Sequence, residues 1–470
     1  MPPLTGTRRD VPLTGDASPD ASRLALFGFL WAFALLYHQV GYDDHLGTAA
    51  DLVLTGIAMV AMVWPSTPIV LGALAVVHVA VVLRNLPSVY NHWYFAALVS
   101  IGIAVACAIA WWQDRGSGST LRPASVARAF VPAGQWCLIL LYVASGFHKL
   151  NHDFLDPAVS CAPILGGAIT GTFALPQPIA IATIWLTIVL ELGIPVLLMV
   201  RRLRHAGIAI GLLFHVMMAL AGYPRFSATG MALLTLFLAP GTVTQLLSRG
   251  RFGRLHEIIR MHVSPTGVRL AIVLVLVAAT SAGQAVASPV FLAVQLLFTL
   301  AVLVLATGHR TGAESYRRIQ GPVPLSIVAP VLVFVSAISP YLGLGTSRAL
   351  AMYSNLRTEG GSSNHLIVPA TLQPFDFQRD LVTIVASSLP RVQQLADDRM
   401  VVPFIELRSM LSTTGGDVRD GSVSYIRNGT RHDVPSIRAD ATLDLPASFF
   451  VQKFVRFRAI ESSGQRQCGV

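Results

Sequence analysis

The chain has 470 residues, of which 53% are hydrophobic and only 12% are charged, and its formal net charge is +10. About a quarter of the residues in an ordinary soluble enzyme are charged, so this composition excludes a soluble enzyme. It is typical of a polytopic membrane protein. The arginines stand in short clusters between apolar runs, as membrane topology requires, and we therefore expect no nucleic-acid partner.

The chain begins with a polar segment, residues 1–22, which shows no signal-peptide pattern and which we interpret as a cytoplasmic tail. A helix needs about 20 apolar residues to cross the hydrocarbon layer, so 23–343 is predicted to be an all-α transmembrane domain of about 11 helices. The predicted spans are 23–41, 50–64, 67–84, 93–112, 128–147, 178–200, 205–222, 228–246, 267–286, 289–307 and 323–342.

Arginine-rich loops predict the orientation of these helices. The basic segments precede the first span and occupy 113–128, 201–205, 248–262 and 309–320, which all fall on one side. The positive-inside rule makes that side cytoplasmic. We therefore expect a multi-pass protein, of a bacterial inner membrane, whose residues after 343 face outward.

The last part of the chain, 344–470, differs in composition. Short β-prone runs such as "DLVTIVASSL", "VVPFIELRSML", "SVSYIRNG" and "FFVQKFVRFRAI" are separated by Gly, Pro and Asp, and "HLIVPA" precedes them. Runs of this length predict strands. We expect a small, mostly β extracytoplasmic domain.

Lys149, in "SGFHKLNHDF", is one of two lysines in the chain, the other being Lys453. A lysine at a helix end can extend its stem along apolar surface and leave its charge at the interface. Arginine would do the same and is used almost everywhere else here, but arginine cannot give up its proton. Lys149 is therefore a candidate base, while its neighbour His148 is expected to point away and to orient or pack.

Polar residues inside or at the ends of apolar spans are costly and often functional. Glu191 is either an acceptor facing the bundle interior or the partner of an arginine that holds helices together. His215 is either a structural hydrogen-bonding residue or part of a site. Asn91 and His92 begin a span at the level of Lys149, as site residues or as ordinary interface residues.

The segment 339–369 is rich in polar residues next to the outer mouth of the last span. One interpretation is a lid that contributes to the cavity, and the other is a linker to the β domain. Its candidates are Arg348, Asn355, Arg357, Glu359, Asn364 and His365. No spacing of His, Cys or Asp gives three ligands on one face, so no metal is predicted. Cys161 and Cys468 both face the oxidising side, and we expect a disulfide between them.

The run "LLYVASGFHKLNHDFLDP" resembles the signature of the vitamin K-dependent gamma-carboxylase family, whose membrane domain is called the HTTM domain. "YNHWYFAALVS" and the helices around Glu191 and His215 resemble further family elements in the same order, over about residues 20–250. The resemblance implies that Lys149 is the catalytic base and that the other polar residues support a cavity.

By this resemblance the substrates are a reduced naphthoquinone of the vitamin K or menaquinol type, O2 and CO2, with a peptide acceptor on the outer side. The chain departs from the animal enzymes in lacking a histidine where it reads "AIAWWQDRG" and in its shorter outer domain. Quinol oxidation is therefore predicted more directly than carboxylation. The alternative is a non-catalytic HTTM protein, such as a toxin-processing or immunity partner or a small-molecule transporter.

Overall fold

The computed structural model describes residues 18–41, 47–117, 121–172, 175–242, 264–307, 318–413, 421–443, 448–462 and 468. The predicted arginine-rich loop at 248–262, most of the one at 309–320 and most of the amino-terminal tail lie outside the described residues.

The first three-quarters of the chain form a bundle of helices. Their bounds are α1 Pro19–Val40, α2 Ala49–Val63, α3 Pro68–Asn85, α4 Asn91–Asp114, α5 Pro123–His148, α6 His152–Leu155, α7 Cys161–Thr170, α8 Gln177–Met199, α9 Arg204–Leu220, α10 Pro224–Leu234, α11 Pro265–Ser281, α12 Gln284–Thr307 and α13 Val328–Leu342. A 3-10 turn, Pro324–Ile327, leads directly into α13.

Seven helices of the described part are long and apolar enough to cross a membrane: α1, α3, α4, α5, α8, α12 and the segment Pro324–Leu342. The protein is thus a multi-pass integral membrane protein, but the predicted count of eleven transmembrane helices is not confirmed. The predicted spans 50–64, 205–222 and 267–286 form helices of only 15, 17 and 17 residues.

The described part of the predicted span 228–246 is not one continuous helix. Its helix, α10, ends at Leu234 and a 3-10 turn follows, yet Leu238 and Ala239 beyond the turn are still buried. Connecting residues inside a bundle are as apolar as the helices, because they too contact the core. An apolar run can therefore include a turn and be longer than its helix.

Helix α1 lies at the centre of the bundle, and Phe27, Trp31 and Phe33 on it are fully buried. Helices α9 and α10 approach each other closely at Gly230, where a Cβ would lie 2.0 Å from His215 Nε2. Helices α5 and α8 do so at Gly146, where a Cβ would lie 2.7 Å from Leu192 Cδ2. Glycine thus permits both contacts, as small residues commonly do between membrane helices.

The carboxy-terminal domain contains a five-stranded antiparallel sheet with the strand order β4-β3-β1-β2-β5. The strands are β1 Leu381–Ser387, β2 Met400–Pro403, β3 Val423–Arg427, β4 Thr430–Val434 and β5 Ile460–Glu461, and the helices are α14 Pro390–Asp397, α15 Phe404–Thr413 and α16 Phe449–Phe454. Asn428 and Gly429 have φ angles of 50° and 75°, as the tight turn between β3 and β4 requires.

The prediction of a mostly β domain is wrong in part, because helices alternate with the strands. The run at 401–411 is a short strand followed by α15, whose Phe404, Leu407 and Leu411 are buried at helical spacing. The run at 449–460 is α16 followed by the start of β5. "HLIVPA" contributes a single bridge between His365 and Asn151.

The carboxy-terminal segment is fastened to the bundle. Lys453 Nζ donates to the backbone carbonyls of Arg84 and Leu86 at the end of α3. Arg348 donates to Pro87 O over 2.8 Å and to Lys453 O over 2.6 Å. The expected disulfide joins Cys161 and Cys468, whose Cα atoms are 4.9 Å apart.

We predict that Gly230→Ala destabilises the protein by about 1–3 kcal/mol, because the added methyl group displaces the buried His215 ring. The matched control is Gly193→Ala, where a Cβ meets nothing within 4 Å. Thermal unfolding of the two variants in detergent measures the difference. Equal stability of both would show that α9 and α10 are not closely packed at Gly230.

Candidate functional site

A cavity of about 590 Å³ lies at the end of the bundle that faces the carboxy-terminal domain. Its walls come from α5, α7, α8, α9 and the start of α4, and residues after α13 close it. The polar lining includes Tyr90, Asn91, His92, Ser145, Lys149, Thr183, Thr187, Glu191, Tyr223, Arg225, Ser347, Tyr353 and Arg458. The apolar lining includes Leu165, Ile169, Leu186, Leu190, Phe214, Met217, Met218, Phe226 and Met352.

Lys149 is buried, with 3% of its surface exposed. Its Nζ donates a hydrogen bond to Glu191 Oε1 over 3.1 Å and lies 2.8 Å from Oε2. It also donates to Ser145 Oγ over 3.0 Å, one turn earlier on α5. The structure thus gives Glu191 a cationic partner in Lys149, whereas the sequence suggested an arginine or an interior acceptor.

The position of Lys149 follows from how α5 ends. Lys149 is the residue that caps the helix, and the chain turns immediately into α6. Asn151, which is fully buried, stabilises this turn. Its amide donates to His148 O over 2.7 Å and to Ser354 O over 2.6 Å, and its Oδ1 accepts from Phe154 N over 2.8 Å. Asn151 therefore caps both helices and fixes the direction of Lys149.

The close approach of α5 and α8 brings the carboxylate to the amine. A Cβ at Gly146 would lie 3.3 Å from Glu191 Cβ as well as against Leu192. Because Gly146 has no side chain, Glu191 reaches Lys149 across the helix interface. Both partners are buried, so water screens their attraction only weakly.

Asn91 and His92, at the first turn of α4, line the cavity. His92 Nε2 lies 3.2 Å from Nδ1 of His38 near the end of α1, and the His38 ring stacks on Trp93 at 3.7 Å between ring centroids. These contacts fix the His92 ring on the cavity wall.

His148 and His215 do not line the cavity. His148 Nδ1 lies 2.8 Å from Tyr341 Oη and its Nε2 lies 3.1 Å from Ala349 O, which gives it the orienting role expected of a residue adjacent to Lys149 on a helix. His215 Nε2 lies 3.0 Å from Tyr142 Oη between helices, so its structural interpretation fits the geometry better.

Arg357, Asn364 and His365 also lie outside the cavity lining. Asn364 Nδ2 donates to Asp153 Oδ2 over 2.9 Å, and its Oδ1 accepts from Arg357 N over 2.8 Å. His365 Nε2 donates to Phe147 O over 3.0 Å, and burial lowers the pKa of this imidazole. These residues contact the turn around Lys149 on the side away from the cavity. Their side chains do not form a lid over the cavity.

The same segment does close the cavity, but with different residues. Ser347, Met352 and Tyr353 line it, and Tyr353 packs against Tyr223 with 4.7 Å between ring centroids. Leu350 and Tyr353 have φ angles of 57° and 51°, in the left-handed region that side chains of this size rarely adopt. Backbone strain of this kind is found near functional sites.

Sequence reasoning missed several lining residues. Ser145 could have been found, because it is four residues before Lys149 on one helix face. Arg225 and Arg458 carry no such signal, since tertiary packing alone brings them here. Arg225 also donates to Gly41 O at the end of α1, and Arg458 to Leu356 O over 2.8 Å. With Lys149 and Glu191 they give the described lining an excess of positive charge.

Comparison with known proteins agrees with this architecture. Residues 52–241 match the HTTM domain. The match includes Asn91, His92, Lys149 and Glu191, whereas Tyr353 and Arg458 lie outside it. No curated protein and no solved structure matches the chain. The resemblance is thus confirmed for the HTTM domain, and its gamma-carboxylase part stays a prediction.

We predict that Glu191→Leu costs about 3–5 kcal/mol of stability, because it leaves the Lys149 ammonium buried without a counterion. Adding Lys149→Met to Glu191→Leu should recover most of that loss, since the pair is then replaced by apolar side chains. Thermal unfolding in detergent compares the three proteins. A double variant as unstable as the sum of the single variants would contradict a direct pair.

Proposed function

We propose that this protein is a membrane enzyme that oxidises a lipid-tailed reduced naphthoquinone with O2, and that Lys149 is its general base. The single observation that carries the proposal is the position of Lys149. Its amine is buried at the polar end of a largely apolar cavity, within 3.1 Å of the Glu191 carboxylate.

The cavity suits a quinol of the vitamin K or menaquinol type. Its volume of about 590 Å³ lies in the range of small-molecule sites. Aromatic and aliphatic side chains would surround the rings, while Lys149, Asn91 and His92 are available to a quinol hydroxyl. The apolar lining residues Ile169, Leu186 and Met217 are 37%, 49% and 44% exposed, so a lipid tail can leave towards the bilayer between α7, α8 and α9.

Proton removal by Lys149 requires a neutral amine. In the proposed step Glu191 accepts the ammonium proton, which leaves the Lys149 amine neutral for the quinol hydroxyl. Ser145 Oγ remains beside Nζ and keeps the amine oriented. Arg225 and Arg458 favour the anionic form of a bound hydroxyl group, because opposite charge stabilises it.

Oxidation of the quinol by O2 supplies a base that can remove a γ-proton from a glutamate side chain, and CO2 can then add at that carbon. We extend the proposal to a glutamate-containing peptide as the acceptor of CO2. Ser347, Tyr353 and Arg458 close the cavity on the side of the carboxy-terminal domain, so a peptide on the outer side of the membrane would have to displace them to enter. If the amino terminus is cytoplasmic, as we expect, this side of the cavity is extracytoplasmic.

The second candidate is a non-catalytic HTTM protein whose helices bind a peptide or a small molecule. One observation favours it: an ion pair between α5 and α8 can stabilise a helix contact without any chemistry. In that case the cavity would bind its ligand, and the identity of the cation at 149 would matter little.

We expect Lys149→Arg to lower quinol oxidation by at least about 100-fold, because arginine keeps the charge and the partner but cannot act as a base. Epoxide formation from reduced vitamin K or menaquinol under O2, in membranes or nanodiscs, measures the effect. Lys453→Arg is the matched control, since Lys453 donates to backbone carbonyls away from the cavity.

A folded Lys149→Arg protein with full activity would exclude Lys149 as the base. A wild-type protein that binds the quinol or a peptide but forms no epoxide would favour the non-catalytic candidate. Incorporation of labelled CO2 into a glutamate-containing peptide tests carboxylation separately.

A further inference from the structure

A second group of buried polar atoms lies in the segment that follows α13, outside the cavity lining. Four side-chain oxygens there have no hydrogen-bond partner among the described residues: Thr358 Oγ1, Glu359 Oε1, Gln373 Oε1 and Gln378 Oε1. The four residues are at most 3% exposed. Buried acceptors without partners are rare in folded proteins, and an unpaired buried carboxylate is costly.

The backbone of Thr358 is a shared hydrogen-bond partner of Glu359, Gln373 and Gln378. Its carbonyl accepts from Gln373 Nε2 over 2.7 Å and from Gln378 Nε2 over 3.0 Å, and its N–H donates to Glu359 Oε2 over 2.9 Å. Gln378 Nε2 also donates to Pro340 O over 2.9 Å. Because both amide nitrogens donate to the Thr358 carbonyl, both amide oxygens remain as acceptors.

We propose that Thr358, Glu359, Gln373 and Gln378 form a cation site with oxygen ligands, and that its ion is calcium. Carboxylate, amide and hydroxyl oxygens are the ligands of hard cations, and calcium accepts an irregular set of six to eight of them. Magnesium requires nearly ideal octahedral geometry and retains water, which suits this buried set less well. A calcium ion bound by these four oxygens would give each of them a partner and would more than offset the single Glu359 charge, with water completing its coordination.

The site differs in its ligands from metal sites built on clusters of His, Cys, Asp and Glu. No group of three or more His, Cys, Asp or Glu residues is placed to hold a metal in the described part of the chain. Here a single carboxylate is combined with two glutamines and a threonine. A site with so few charged ligands binds weakly, at about 10⁻⁴–10⁻³ M as in extracellular calcium modules.

The site is connected to the turn that carries Lys149. Gly360 N donates to Gln378 O over 2.8 Å, so Gln378 contacts the backbone on both sides of Glu359. A few residues further, Asn364 contacts Asp153, and Asn355 Oδ1 accepts from Cys161 N over 3.0 Å. Calcium would stiffen this segment against α6 and α7 whether or not the cavity is catalytic.

The test is thermal unfolding of the full-length protein in detergent, with EGTA or with graded CaCl2 or MgCl2 at constant ionic strength. We expect calcium to stabilise the wild-type protein, with a half-maximal effect at about 10⁻⁴–10⁻³ M. Glu359→Gln should abolish the effect. The matched control Asp376→Asn should retain it, since the Asp376 side chain is in the same segment but 81% exposed.

A second variant keeps the test decisive if Glu359→Gln fails to fold. Thr358→Val is nearly isosteric and should raise the calcium concentration needed by about tenfold by removing one ligand, the loss seen when a metal site loses a supporting group. A wild-type protein unaffected by calcium, with Thr358→Val equally stable or more stable, would overturn the proposal. So would equal stabilisation by magnesium, or loss of the effect in Asp376→Asn.

Discussion

The ion pair between Lys149 and Glu191 is the interaction on which the rest of the site depends. Two charges are buried in a helix bundle, where each would cost several kcal/mol alone. They are tolerated because Gly146 lets α5 and α8 approach and because Asn151 satisfies the backbone where α5 ends. Without the close approach at Gly146 or the capping by Asn151, the two charges would be separated or exposed to water. The local structure and the ion pair therefore depend on each other.

The cavity also depends on parts of the chain that are distant in sequence. Helices from the HTTM segment supply the amine, the carboxylate and most apolar walls, while Tyr353 and Arg458 come from beyond it. The disulfide and the contacts of Lys453 and Arg348 hold those later residues in place. An HTTM domain alone would therefore leave the polar end of this cavity open to water, which would weaken every electrostatic interaction in it.

The sequence predicts those features that local chemistry determines. Hydropathy locates the helices, and the polar residues at Asn91, His92, Lys149 and Glu191 indicate the site because they are costly in apolar spans. It does not predict which polar residues meet. His148 is one residue from Lys149 yet points to Tyr341, since adjacent residues on a helix differ by about 100°. The His215 side chain contacts Tyr142 and not the cavity. The packing of α5, α9 and α10 determines this contact, and the sequence does not reveal it.

The two lysines show how far composition supports a catalytic interpretation. Lys453 donates to backbone carbonyls at a helix end, a task that arginine performs elsewhere in the chain, so scarcity of lysine does not by itself indicate a base. What distinguishes Lys149 is its surroundings. An acid lies within hydrogen-bonding distance, little solvent reaches the amine, and an apolar cavity adjoins it. In the proposed mechanism the amine gives up its proton there, which arginine cannot do. The proposed role of Lys149 as a base therefore depends on Glu191 and the cavity together.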